Sequence, residues 1–125
     1  MHEIIFYSDK KGYSELLEHI EVLNKKAYTS KNERIILKQI RFYIEVLERT
    51  GTRAGEPFVK FIEGDIWELR PGKNRILFFR WYNGKIVLLH HFLKKTNKTP
   101  EREIEEAKSE IKDWIERNDH DGKAD

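Results

Sequence analysis

The chain has no cysteine. Disulfide staples and thiolate-held metals are excluded, and its 125 residues are enough to bury a modest core without staples. Proline occurs only three times and glycine seven. No stretch reads as a linker, a repeat or a low-complexity segment, and one domain over residues 1–117 is expected. Long apolar runs are missing too. The opening "MHEIIFYSDK" holds an apolar run too short for a signal peptide, and no stretch approaches a membrane span. A cytoplasmic location is the expectation. An excess of one charge is also lacking: 24 Lys and Arg against 22 Asp and Glu leave +2. That excludes a uniformly basic nucleic-acid coat, so any anion-binding role must come from locally segregated charge. The sequence shows no serine–histidine–acid set, phosphate-binding glycine loop or dinucleotide fingerprint.

What is present reads as β-α-α-β-β-β-α, an α+β protein. "EIIFY" (3–7) is a short strand rich in β-formers. Tyr13, Leu16, Leu17, Ile20, Leu23 and Ala27 fall at helical spacing. Ser30 and Glu33 form a capping box for a second helix, with Ile36, Ile40, Tyr43 and Leu47 as its buried stripe and Gly51 as its stop. The short joint between them predicts an antiparallel α-hairpin. Residues 52–64, with two glycines and one proline, read as loop. Strands are expected over 65–70, 75–82 and 85–93, turning at "PGKN" and at Asn83-Gly84. Thr99-Pro100 opens a last helix with Ile104, Ala107, Ile111, Trp114 and Ile115 on its apolar face. "NDHDGKAD" (118–125) reads as a polar tail.

Alternation assigns the sheet faces. With a two-residue turn at Asn83-Gly84, Leu77 opposes His90 and Arg75 opposes Phe92. With a four-residue turn at "PGKN", Glu68 opposes Leu77 and Arg70 opposes Arg75. One face then carries Trp67, Leu69, Ile76, Phe78, Val87, Leu89 and Leu93, and is the expected core. The other carries Glu68, Arg70, Arg75, His90 and Lys94 among Leu77, Phe79, Leu88 and Phe92, and is expected to lie clear of the helices. Like charges directly opposite are unfavourable, which an anion bridging Arg70 and Arg75 relieves. Guanidinium forks match phosphate oxygens, and nearby carboxylate and imidazole groups suit proton transfer. The bland reading is two turn-flanking arginines neutralised by Glu68. His90 and His91 look like a metal pair, but strand neighbours point to opposite faces, so no metal site is expected. Trp67, Trp81 and Trp114 read as core or rim before base-stacking platforms.

"DIWELRPGKNRILFF", followed by "NGKIVLLHHFLKKTNKTP" and a charged helix, resembles the RelE/ParE toxin superfamily, and within it the HigB-type toxins of the phage-derived branch. The resemblance covers roughly residues 3–117. It implies a RelE-like fold and a toxin paired with an antitoxin, for HigB types a helix-turn-helix protein through which alone the toxin meets DNA. It implies metal-independent cleavage of mRNA on the 70S ribosome, with no cofactor and no membrane partner. Carried over by motif, Arg75 and Arg70 stabilise the phosphate, and Glu68 or His90 moves protons. Lys94 and Lys95, with Lys60 and Lys98, hold the RNA backbone. ParE-like relatives, which poison gyrase instead, and a non-toxic phage-derived interaction protein are the rival readings.

Overall fold

The computed structural model describes residues 1–123, with side chains through residue 118. The order is β1 (Ile4–Phe6), α1 (Glu15–Lys26), α2 (Lys31–Thr50), β2 (Val59–Glu63), β3 (Ile66–Leu69), β4 (Asn74–Trp81), β5 (Lys85–Leu93) and α3 (Glu101–Lys123). The five strands form one sheet in the order β1-β5-β4-β3-β2, with β1 parallel to β5 and the other pairs antiparallel. The expected α+β class and helix order match, but the sheet has one more strand than expected. Residues read as loop contain β2, whose Val59 and Phe61 alternate with Lys60 and Ile62.

Both helices of the α-hairpin start where a serine can cap them. Ser14 Oγ accepts from Leu17 N at 3.2 Å, and Ser30 Oγ accepts from Glu33 N at 3.4 Å. Leu16, Leu23, Leu37, Ile40 and Leu47 of the hairpin pack on Leu69, Ile76, Phe78, Ile86 and Leu88. Each such side chain contributes roughly 1.5–3 kcal/mol on burial.

The other sheet face is not open. Ile104, Ala107 and Ile111 of α3 cover Ile66, Leu77, Phe79, Val87 and Leu89. The expectation that Glu68, Arg75 and His90 lie on an uncovered face is therefore corrected: the apolar stripe of α3 needs a partner, and this face supplies it. A bulge corrects the strand assignment as well. Leu77 pairs with His90 but Phe78 pairs with Leu88, leaving Leu89 extra. Below the bulge the faces of β5 exchange, so Val87 and Leu89 face α3 while Leu88 faces the hairpin.

The last helix continues through residues 118–123, where a tail was expected. Nothing before Gly122 breaks helical geometry, and Asn118 Nδ2 donates to the Trp114 carbonyl at 2.9 Å. Residues 124–125 of that expected tail lie outside the described residues. No helix among the described residues is long and apolar enough to cross a membrane.

Candidate anion-binding site

Three of the residues singled out fall in one row across the sheet. Lys60 pairs with Glu68, Glu68 with Leu77, and Leu77 with His90. Continuing the β3–β4 register past Leu69 and Ile76 sets Arg70 opposite Arg75. Between them the chain turns at Pro71-Gly72-Lys73, closed by Asn74 N donating to the Pro71 carbonyl at 2.9 Å. Gly72 sits at φ +60°, a left-handed conformation that a side chain would strain.

Glu68 is 2% exposed and serves both arginines. Its Oε1 lies 3.4 Å from Arg70 Nε and 3.7 Å from Arg75 Nε. Its Oε2 accepts from Thr99 Oγ1 at 2.7 Å. Thr99 did not stand out in the sequence beyond its helix-opening place. Only a fold that returns the chain across β3 brings it to Glu68. Arg75 is 6% exposed, and its Nη1 donates to the Gly72 and Asn74 carbonyls at 2.7 and 2.9 Å. Burial, then the charge of Arg70, pulls the Arg75 pKa below its ordinary value despite Glu68. Glu56 stands 3.8 Å from Arg70 but is largely exposed and weakly coupled. Arg70 Nε is near Glu68 by distance yet has no directional hydrogen bond, so a buried donor is left unspent.

One carboxylate thus serves two guanidiniums within the buried cluster, leaving a surplus positive charge and a free donor. Such an arrangement can accept an oxyanion. The segment from Lys94 to Pro100 lies over Arg75 and Phe92, and the crevice beneath it holds about 10 Å³, room for one water. The crevice is too small to hold a phosphate with the segment in this position. Lys94, Lys95 and Lys98 are exposed on the segment itself, and Lys60 is exposed at the β2 end of the row.

His90 is not joined to the arginine cluster. Leu77 lies between it and Glu68, which places the two backbones about 10 Å apart. Three carboxylates of α3 surround the imidazole instead. Nδ1 meets Glu110 Oε1 at 2.6 Å and Glu106 Oε2 at 3.6 Å, and Nε2 meets Glu103 Oε1 at 3.0 Å. Burial alone would push the His90 pKa down. The hydrogen bond and charge of Glu110, with Glu106 and Glu103, push it up to about 9. His90 is therefore an imidazolium that ties α3 to the sheet. The three glutamates come one helical turn apart on α3, a signal visible in the sequence once α3 is known to cover this face.

His91 points the other way, as alternation required. Its ring stacks on His19 at 3.6 Å between centroids, and its Nδ1 is 2.5 Å from Glu15 Oε2. The two histidines share no ion site. His90, Glu106 and Glu110 do place ligand atoms close together, but both ring nitrogens already have carboxylate partners.

Residues 17–112 match the family described as phage derived protein Gp49-like (DUF891). The chain belongs to this family. Gp49-like proteins are part of the RelE/ParE-like toxin superfamily and are grouped with toxins of toxin–antitoxin systems. The match spans α1 from its third residue, all of α2, strands β2 to β5 and the first half of α3, so the arginine cluster and its overlying segment lie inside it. Membership implies an antitoxin partner. No curated protein matches the chain.

Proposed function

We propose that this Gp49-like protein is a metal-independent endoribonuclease that cleaves mRNA on the ribosome, in the manner of the HigB-type toxins it resembles. The observation that carries this reading is the Arg70–Glu68–Arg75 cluster, with one carboxylate for two guanidiniums and a buried donor unspent. In RNA cleavage the ribose 2′-oxygen attacks the adjacent phosphorus and the 5′-oxygen leaves. A 2′,3′-cyclic phosphate and a 5′-hydroxyl end result. The proton of the 2′-hydroxyl goes to a base, and the departing oxygen takes one up. Charge builds on the phosphoryl oxygens, where fixed guanidiniums stabilise it most.

Arg70 and Arg75 are assigned to that charge. Glu68 holds their forks at a common point and is the carboxylate within reach for the 2′-hydroxyl proton. Displacing it from Thr99 frees Oε2 for that role. His90 is assigned to anchoring α3, because both its nitrogens are engaged and Leu77 separates it from the cluster. Lys94, Lys95 and Lys98 ride on the segment that must move and would grip RNA phosphates as it does. Lys60 would continue the positive track at the sheet edge. A helix-turn-helix antitoxin of the HigA kind would silence the protein by covering the cluster or holding that segment closed, and would supply its link to DNA.

The test is mapping of mRNA 5′ ends after brief induction without antitoxin, in wild type and in Arg75→Ala, with purified protein on naked and ribosome-bound message alongside. Removing one charge-stabilising donor costs roughly 10²–10³ in rate. New ends inside reading frames, lost in the variant and dependent on ribosomes, are expected. Growth arrest with intact messages in both would move the reading to the gyrase-poison class. Normal growth would leave only an interaction protein.

A further inference from the structure

The anion site leaves the aromatic residues at the far end of the sheet unused. Phe61, Trp67 and Trp81 line a recess of about 440 Å³ between the β2–β3 and β4–β5 turns. That volume is in the range of small-molecule sites. Phe61 is 51% exposed, and it meets Trp67 edge-on at 5.3 Å between centroids. Arg80 is exposed, and its guanidinium carbon lies 5.9 Å from the Trp67 ring centre. Among the described residues Arg80 has no carboxylate partner. Asp65 is the one carboxylate on the recess wall, at the turn between β2 and β3. Gly64 and Gly84 line the mouth without side chains.

This place is separate from the arginine cluster. Arg75 and Arg80 are five residues apart on β4, about 17 Å along the strand. They also point to opposite faces, Arg75 towards the α3 side and Arg80 towards the α-hairpin side.

We propose that the recess binds a guanine nucleotide unit, stacking its base on Phe61 and Trp67 and pairing its phosphate with Arg80. Each part of the ligand has a matching group. Base–aromatic stacking tolerates every base, which explains the rings but not a preference. An arginine poised over an indole with no carboxylate partner suits a phosphate at the edge of the stack. A carboxylate accepts two hydrogen bonds side by side, and guanine presents two adjacent donors, N1–H and the N2 amino group. Adenine and cytosine present an amino donor next to an acceptor, which a carboxylate opposes. A merely structural aromatic rim would need neither the unpaired arginine nor the lone carboxylate.

The ligand has two sources, a free mononucleotide or a base within single-stranded RNA, and the inference holds without any cleavage activity. The test follows the backbone and indole N–H signals by NMR while the wild-type protein is titrated with GMP, with AMP, and with a short 2′-O-methyl RNA carrying guanine. The methylated RNA lacks the attacking hydroxyl, so the readout is binding alone. Saturable shifts of the Trp67 indole are expected, with GMP bound several-fold more tightly than AMP. Arg80→Ala, at an exposed position, weakens binding about tenfold, and Asp65→Asn levels GMP with AMP. Shifts with the mononucleotide alone assign a free-nucleotide site, and shifts with the RNA alone assign a strand-binding site. The proposal is overturned if none of the three ligands moves the Trp67 indole, if Arg80→Ala binds as well as wild type, or if the shifts fall on Arg70 and Arg75 instead.

Discussion

Raising the pH from 7 to 9 should destabilise this protein through one residue, His90. The buried imidazole has a pKa of about 9 in the fold against 6.5 when free. Below pH 6.5 both folded and unfolded chains carry the proton, and the stabilisation is fully present. Above that value the unfolded chain loses its proton while the folded chain keeps it, so stability falls until the pH passes about 9. The full shift corresponds to about 3 kcal/mol, of which about 2 kcal/mol is lost between pH 7 and pH 9. Urea unfolding at the two pH values should then differ by about 1 M in midpoint. His90→Gln keeps a hydrogen-bonding side chain but cannot carry the charge, so its midpoint should start lower and stay flat across the same range. His19 works the other way. Burial, then the charge of His91, holds its pKa down, so its cost to stability appears on the acid side and does not mask the alkaline loss. A wild-type midpoint that does not move from pH 7 to pH 9, or a His90→Gln variant that moves just as far, would refute the assignment of His90 as a charged anchor.

Glu68→Gln should destabilise by about 3 kcal/mol in chemical denaturation, because two guanidiniums then share no counter-charge. Sulfate in the buffer should restore part of that loss by binding the two arginines. Lys94→Ala with Lys95→Ala should weaken RNA binding without changing thermal stability, and the salt dependence of binding should flatten by about one unit of slope per lysine. Gly72→Ala should cost about 1–2 kcal/mol in thermal unfolding, since φ +60° strains any side chain there. It should also lower RNA cleavage by loosening the turn that sets the two arginines.

The register that places Arg75 opposite Phe92 was legible in the sequence, but through two differences that offset each other. The turn after β4 takes three residues where Asn83-Gly84 suggested two, so Trp81 and not Tyr82 pairs with Lys85. The bulge at Leu89 then restores the count, and Arg75, Leu77 and His90 land where alternation put them. Between turn and bulge the faces are exchanged, which no periodicity in Val87, Leu88 and Leu89 could reveal, because all three are apolar. β2 was hidden by its flanks, Gly55 and Pro57 on one side and Gly64 on the other, and by its own broken alternation, in which Phe61 and Ile62 are adjacent and the pairing with β3 shifts register. The arginine pair and its shared carboxylate were legible because hairpin pairing is local. The capture of His90 by α3 was not, because the apolar stripe of α3 names no partner until the fold supplies one.

The parallel pairing of β1 with β5 also governs when the protein comes into being during its own synthesis. Ile4 leaves the ribosome early and finds its partner Ile86 only after 82 further residues have been added. At roughly 5–20 residues per second, that is a wait of about 4–16 s. The segment over Arg75 and the helix that covers its face emerge later still. A nascent chain stopped anywhere in between has an unpaired first strand, no α3 and no lysine-bearing segment. The finished arrangement thus exists only after that interval, and the antitoxin partner that the family implies has the whole of it to reach the chain.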